Sequence, residues 1–158
     1  MKVFISSLIT GMDALRSAAR EAVLQLGHEP VMAEDLGARP HSPQVTCLSG
    51  LRESALMILI LGAGYGTKQA SGLSATHEEY REARDRCPII AFVEEGVTRD
   101  AEQAAFVREV QSWETGLYRD GFSGPDQLRR LITWEFPRLC RGGSRSLTYT
   151  AVVPPGNL

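Results

Sequence analysis

Leu56-Met57-Ile58-Leu59-Ile60-Leu61-Gly62-Ala63-Gly64-Tyr65-Gly66 is the stretch that decides the fold. Its first six residues are all apolar, so a strand here buries both faces, as in a parallel sheet covered by helices on each side. The glycines behind it allow a tight turn and close backbone approach to a ligand. Ser74-Ala75-Thr76-His77-Glu78-Glu79-Tyr80 then reads as a helix start. Strand, glycine-bearing loop and hydroxyl-rich helix start together are how an open parallel sheet builds a ligand crevice.

The same alternation extends in both directions. Upstream, Val3-Phe4-Ile5 reads as a short buried strand, and Met12, Leu15, Ala19, Ala22, Val23 and Leu26 recur at helical spacing until Gly27. Pro30-Val31-Met32 makes a second strand before Glu34-Asp35, and a helix is expected over 44–54. Downstream, Pro88-Ile89-Ile90-Ala91-Phe92-Val93 is again apolar on both faces. A helix follows from Ala101 to about Trp113, and Leu117-Tyr118 with Phe122 suits an edge strand. A last helix runs from Pro125 to near Gly142, and Trp113 and Trp134 fall on helical stripes that read as core. Strands alternating with helices predict a doubly wound α/β domain, flavodoxin-like, with a mainly parallel five-stranded sheet in the order 2-1-3-4-5. Residues 1–141 form this domain. Residues 142–158 read as a linker or peripheral tail, opening on Gly142-Gly143 and closing on Pro154-Pro155-Gly156, that leads to a further C-terminal domain if the chain is part of a longer protein.

Bulk properties narrow the function. With 158 residues, 43% of them hydrophobic, the chain is long enough for one domain with a real core. A net charge of -2 gives no electrostatic reason to expect nucleic acid or an anionic membrane as partner. No apolar run is long enough to span a bilayer. Cys47, Cys87 and Cys140 are widely separated, which suits a reducing cytoplasm and forms neither a disulfide framework nor a zinc motif. His28, His41 and His77 lack metal-ligand spacing, so no metal is expected.

In the expected topology, ligands bind beyond the carboxyl ends of strands one and three, where strand order reverses. Those ends carry Ser6-Ser7 and Gly62–Gly66. Ser6, Ser7, Gly62 and Gly66 are candidate holders of phosphate and ribose, and Tyr65 can stack on a base or close the pocket. Glu34, after strand two, is a candidate ribose contact. On the Thr76 helix, residues three and four apart share a face. Thr76, Glu79, Tyr80 and Ala83 therefore line one side, and His77, Glu78, Arg81, Glu82 and Asp85 the other, which reads as solvated. Glu79 is the single carboxylate on the inward side and the leading catalytic candidate, with Ser74, Thr76 and Tyr80 as neighbours at the ligand. The spacing Thr76-x-x-Glu79 equally fits a capping box, in which Glu79 only reaches back to the Thr76 backbone. Spacing does not choose between them.

Lys2-Val3-Phe4-Ile5-Ser6-Ser7 resembles the opening of a family catalogued as a domain of unknown function, found at the N-termini of bacterial STAND-type NTPases and other multidomain defence or signalling proteins. The likeness continues through Leu26-Gly27-His28-Glu29-Pro30-Val31, through Ile58–Leu61 with Gly62, Tyr65 and Gly66, and through Gly72–Thr76 with Glu79-Tyr80 and Pro88–Val93. That family in turn resembles TIR domains and nucleoside 2-deoxyribosyltransferases, in which a glutamate on the helix after the third strand works on an N-glycosidic bond. Glu79 occupies the comparable place. The resemblance implies a nucleotide N-glycosidase that hydrolyses NAD+ to nicotinamide and an ADP-ribose product, with NAD+ as substrate and no cofactor. It also implies self-association on activation and a C-terminal effector or NTPase domain. The alternatives are a non-catalytic nucleotide-sensing or self-association module, and base exchange between deoxynucleosides.

Overall fold

The computed structural model describes residues 1–112 and 119–141. Five strands form one sheet: β1 (Lys2–Ser6), β2 (Glu29–Val31), β3 (Leu56–Leu61), β4 (Ile89–Glu94) and β5 (Arg119–Phe122). The helices between and after them are α1 (Asp13–Gln25), α2 (Pro43–Arg52), α3 (Ala75–Arg84), α4 (Ala101–Val110) and α5 (Gly124–Arg141). The strand order is β2-β1-β3-β4-β5, and all four pairings are parallel. This is the flavodoxin-like order expected from the sequence.

Alternate residues of each strand feed two cores. Val3, Ile5, Ile58, Ile60, Ile90 and Phe92 pack with α1 and α5 on one face. Phe4, Met57, Leu59, Leu61, Ala91 and Val93 pack against α2, α3 and α4 on the other. Every residue of β3 is buried, which is why its run carries no polar alternation. With α1 on one face and α2 on the other, the chain reverses its winding between β1 and β3. The carboxyl ends of these two strands therefore part to leave a crevice.

Two local readings change. Trp134 on α5 is 55% exposed, with the Arg138 guanidinium 4.8 Å above its ring, so it covers the surface and not the core. The α3 helix starts one residue earlier than expected, because Ser74 is its cap: the Ser74 hydroxyl accepts the His77 N–H at 3.3 Å. Trp113, Leu117, Tyr118 and the tail from Gly142 lie outside the described residues.

Capping residues satisfy helix N–H groups that have no carbonyl partner, and replacing one by alanine costs about 1 kcal/mol. Ser74→Ala should accordingly lower the melting temperature by about 3 °C, as expected for a domain of this size. Thr76→Ala, which removes no cap, should lower it less. Equal losses in calorimetry would reassign the cap.

Candidate active site

A cleft of about 640 Å³ opens at the carboxyl end of the sheet between the loop after β1, the segment after β2, α2 and the start of α3. Glu79 lies on its wall and is 7% exposed. With the cap at Ser74, Glu79 stands two residues deeper in the helix than a capping-box acid, and its carboxylate turns to β1, where it accepts the Ser6 hydroxyl. The capping-box role is therefore excluded by position. Burial raises the Glu79 carboxyl to about 7, against the opposing pull of the Ser6 hydrogen bond and the Arg16 charge. At neutral pH the group can thus serve either as a carboxylate or as an acid.

Ser6 is 1% exposed and stands behind Glu79, orienting it without lining the cleft. Ser7 lines the cleft, but its hydroxyl is committed. It donates to the Leu8 carbonyl at 2.9 Å and accepts Arg16 Nη1 at 2.7 Å. Ser74 and Thr76 line the cleft beside Glu79. Gly66 does so too, at φ +87° and so close to Leu8 that an added Cβ would sit 2.9 Å from its side chain. Only glycine meets both conditions there.

Tyr65 forms part of the wall as a clamped ring. Its hydroxyl lies 2.8 Å from His77 Nδ1 and accepts the Ser74 N–H at 3.2 Å, and its backbone N–H donates to Asp100 at 3.2 Å. Two expected contacts lie elsewhere. Gly62 packs under the sheet end, its carbonyl accepting Gln103 Nε2 at 3.0 Å. Tyr80 sits about 100° further round α3 than Glu79, inside the second core against Phe106. Neither lines the cleft.

His77 is a correction to the helical wheel. It is 5% exposed, stacked on Phe106 at 4.0 Å, and its Nε2 meets Glu109 at 2.8 Å. Helix α4 covers that side of α3, so the buried arc is wider than one stripe. Glu78 is half-buried at the cleft rim, where Gln44 Nε2 donates to it at 2.9 Å and the Ser71 hydroxyl also donates.

Arg16 is the site residue that sequence reading missed. It is 3% exposed, lines the cleft and grips Glu34: Nε meets Oε1 at 3.1 Å and Nη2 meets Oε2. Its signal was present, because Arg16 stands four residues after Met12 and three before Ala19, a charge inside an apolar stripe. Glu34 lines the cleft at the end of β2. Among the described residues, no cluster of three or more His, Cys, Asp or Glu side chains is placed to hold a metal ion. No helix of the described residues is long and apolar enough to cross a membrane.

Comparison with solved structures gives a likeness of fold. The CMP N-glycosidase BcmB of Clostridium botulinum matches with a TM-score of 0.57 at 14% identity, covering 85% of this chain and 99% of that one. A flavoprotein of Thermotoga maritima matches at 0.47 and 15% identity, covering 89% of this chain and 35% of its own. No curated protein matches the chain in sequence. A family model matches residues 2–133, from β1 into α5, and the chain belongs to that family, described as a domain of unknown function (DUF4062).

Proposed function

We propose that the cleft cleaves the N-glycosidic bond of a nucleotide, with Glu79 as the group that meets the ribosyl cation. One observation carries this reading: a nearly buried carboxylate, oriented by Ser6, faces a cleft of nucleotide size at the carboxyl end of the sheet. As the C1′–N bond breaks, its electron pair leaves with the base and positive charge grows on the ribose. The Glu79 carboxylate stabilises that charge, or bonds to C1′ until water replaces it, as the carboxylate of a retaining glycosidase does. The fold likeness to a CMP N-glycosidase is consistent with this chemistry. NAD+ is the first substrate proposed, because its pyridinium leaves as neutral nicotinamide without needing a proton. A neutral base departs more readily once protonated, and Glu79 in its acid form would supply that proton.

These two routes have opposite pH dependence. With NAD+, cleavage should rise as pH passes upward through about 7 and Glu79 ionises. With a neutral base protonated by Glu79, it should fall over the same range. Chromatography of the free base after incubation with NAD+, with cytidine 5′-monophosphate and with deoxynucleosides tests the reading at each pH. Release of a base from any of them supports it. A nucleotide that binds and stays intact supports a sensor instead. The proposed unit of function is the domain of residues 1–141, with self-association and a C-terminal effector as the setting in which it works.

A further inference from the structure

The Arg16–Glu34 pair carries an assignment of its own. Arg16 is almost wholly buried, and its guanidinium meets Glu34 through Nε and Nη2 and Ser7 through Nη1. A guanidinium taken out of water needs such partners. The pair is therefore formed before any ligand arrives. Glu34 is the open half of it, with a side chain 43% exposed against 4% for Arg16. Partial burial works against its charge, but the Arg16 hydrogen bond, a hydrogen bond from its own backbone N–H and the charges of Arg16 and Arg20 outweigh this and hold it below the usual carboxylate range. With its side chain 43% exposed, the Glu34 carboxylate keeps acceptor sites open to the cleft beside the arginine fork. Two fixed acceptors side by side match the two hydroxyls of a vicinal diol.

The position suits that match. Arg16 also acts on the Glu79 carboxyl, and the Cys47 thiol in the cleft feels Glu79, Arg16 and Glu34 together. Arg16 meets Glu34 directly, its charge reaches Glu79, and all three line the same cleft. A sugar whose C1′ meets Glu79 carries its 2′ and 3′ hydroxyls one and two carbons away.

We propose that Glu34 accepts the 2′ and 3′ hydroxyls of the sugar and that Arg16 is the positioning residue that aims it, so that the site selects ribosyl over 2′-deoxyribosyl ligands. This rests on the nucleotide reading of the cleft and deepens it by choosing the sugar. A hydrogen bond from the 2′ hydroxyl beside the reacting carbon also strengthens as charge develops there.

The test compares binding of D-ribose 5-phosphate and 2-deoxy-D-ribose 5-phosphate, by titration calorimetry, in the wild type and two variants. The wild type should prefer the ribose form about tenfold or more, the worth of one hydrogen bond to a charged group. Glu34→Gln should bring the ratio to about threefold or less on the same scale. Arg16→Lys, which keeps the charge but not the fork, should lower the ratio as well. Melting curves separate this from misfolding, and Glu34→Gln decides alone if the arginine variant does not fold. Overturning results are equal affinity for both sugars, no binding of either, or an unchanged ratio in Glu34→Gln. Tighter binding of both sugars by Glu34→Gln would also overturn it, since phosphate would then be taking the place of Glu34 on Arg16. Sugar preference without base release from any nucleotide would leave this assignment standing and remove the glycosidase reading. Base release at equal rates from ribosyl and deoxyribosyl substrates would do the reverse.

Discussion

Glu79→Gln should reduce base release by a thousandfold or more, on the scale of about 10³ and above seen when a group acting directly in the transition state is lost. Glutamine keeps the shape and can still accept the Ser6 hydroxyl, but it can neither carry the negative charge that meets the ribosyl cation nor deliver a proton. Nucleotide affinity should change far less, because the loss falls on the transition state and not on the bound ground state. Glu78→Gln supplies the contrast. Glu78 lies on the same helix, but at the cleft rim with Gln44 and Ser71. Its loss should leave turnover near the wild-type value. Equal losses in the two variants would mean that general acidity at the cleft, and not one placed carboxyl, drives the reaction.

The second large effect is on stability and has a definite sign. The Glu79 carboxyl titrates at about 7 in the folded protein against 4.5 ordinarily, because burial disfavours its charge. A folded value above the unfolded one means that the contribution is fully present below pH ~4.5 and is lost as pH rises through about 7. The gap corresponds to roughly 3 kcal/mol at its fullest. Glu79→Gln removes the titration. The variant should therefore gain on the wild type by up to roughly 3 kcal/mol between pH 4 and pH 8.5. Denaturant unfolding of both proteins at the two pH values measures this. Parallel stability curves would show that Glu79 is not held in a desolvating site. A residue that destabilises the fold in its ionised form is the pattern expected where function sets the choice of side chain.

The sequence made the scaffold legible because its strongest signals are local. The runs in β3 and β4 are apolar on both faces, and only a sheet covered on both sides buries them so. Helical spacing singled out Glu79 for the same reason, as one acid on an inward face. What stayed hidden depends on contacts between distant elements. The apolar stripe of α1 marked Arg16 as an inward charge, but its partner Glu34, 18 residues on, came into view only with the fold. The burial of His77 needs Phe106 and Glu109 from α4. The Thr76-x-x-Glu79 spacing imitated a capping box because Ser74, two residues earlier, is the hydroxyl that takes the cap. Trp134 lies two residues from both Ile132 and Phe136, about 200° round α5 from the core, and so falls on the outer face under Arg138.

Quantifying free base in a quenched, equimolar mixture of nucleotide and concentrated or deliberately clustered protein, wild type beside Glu79→Gln, tests the central claim most directly. The expected result is release from a ribonucleotide, NAD+ first, approaching one base per site in the wild type and none in the variant. Intact nucleotide in a wild-type sample that has bound it, or equal release by the two proteins, would contradict the assignment of Glu79 as the catalytic carboxyl.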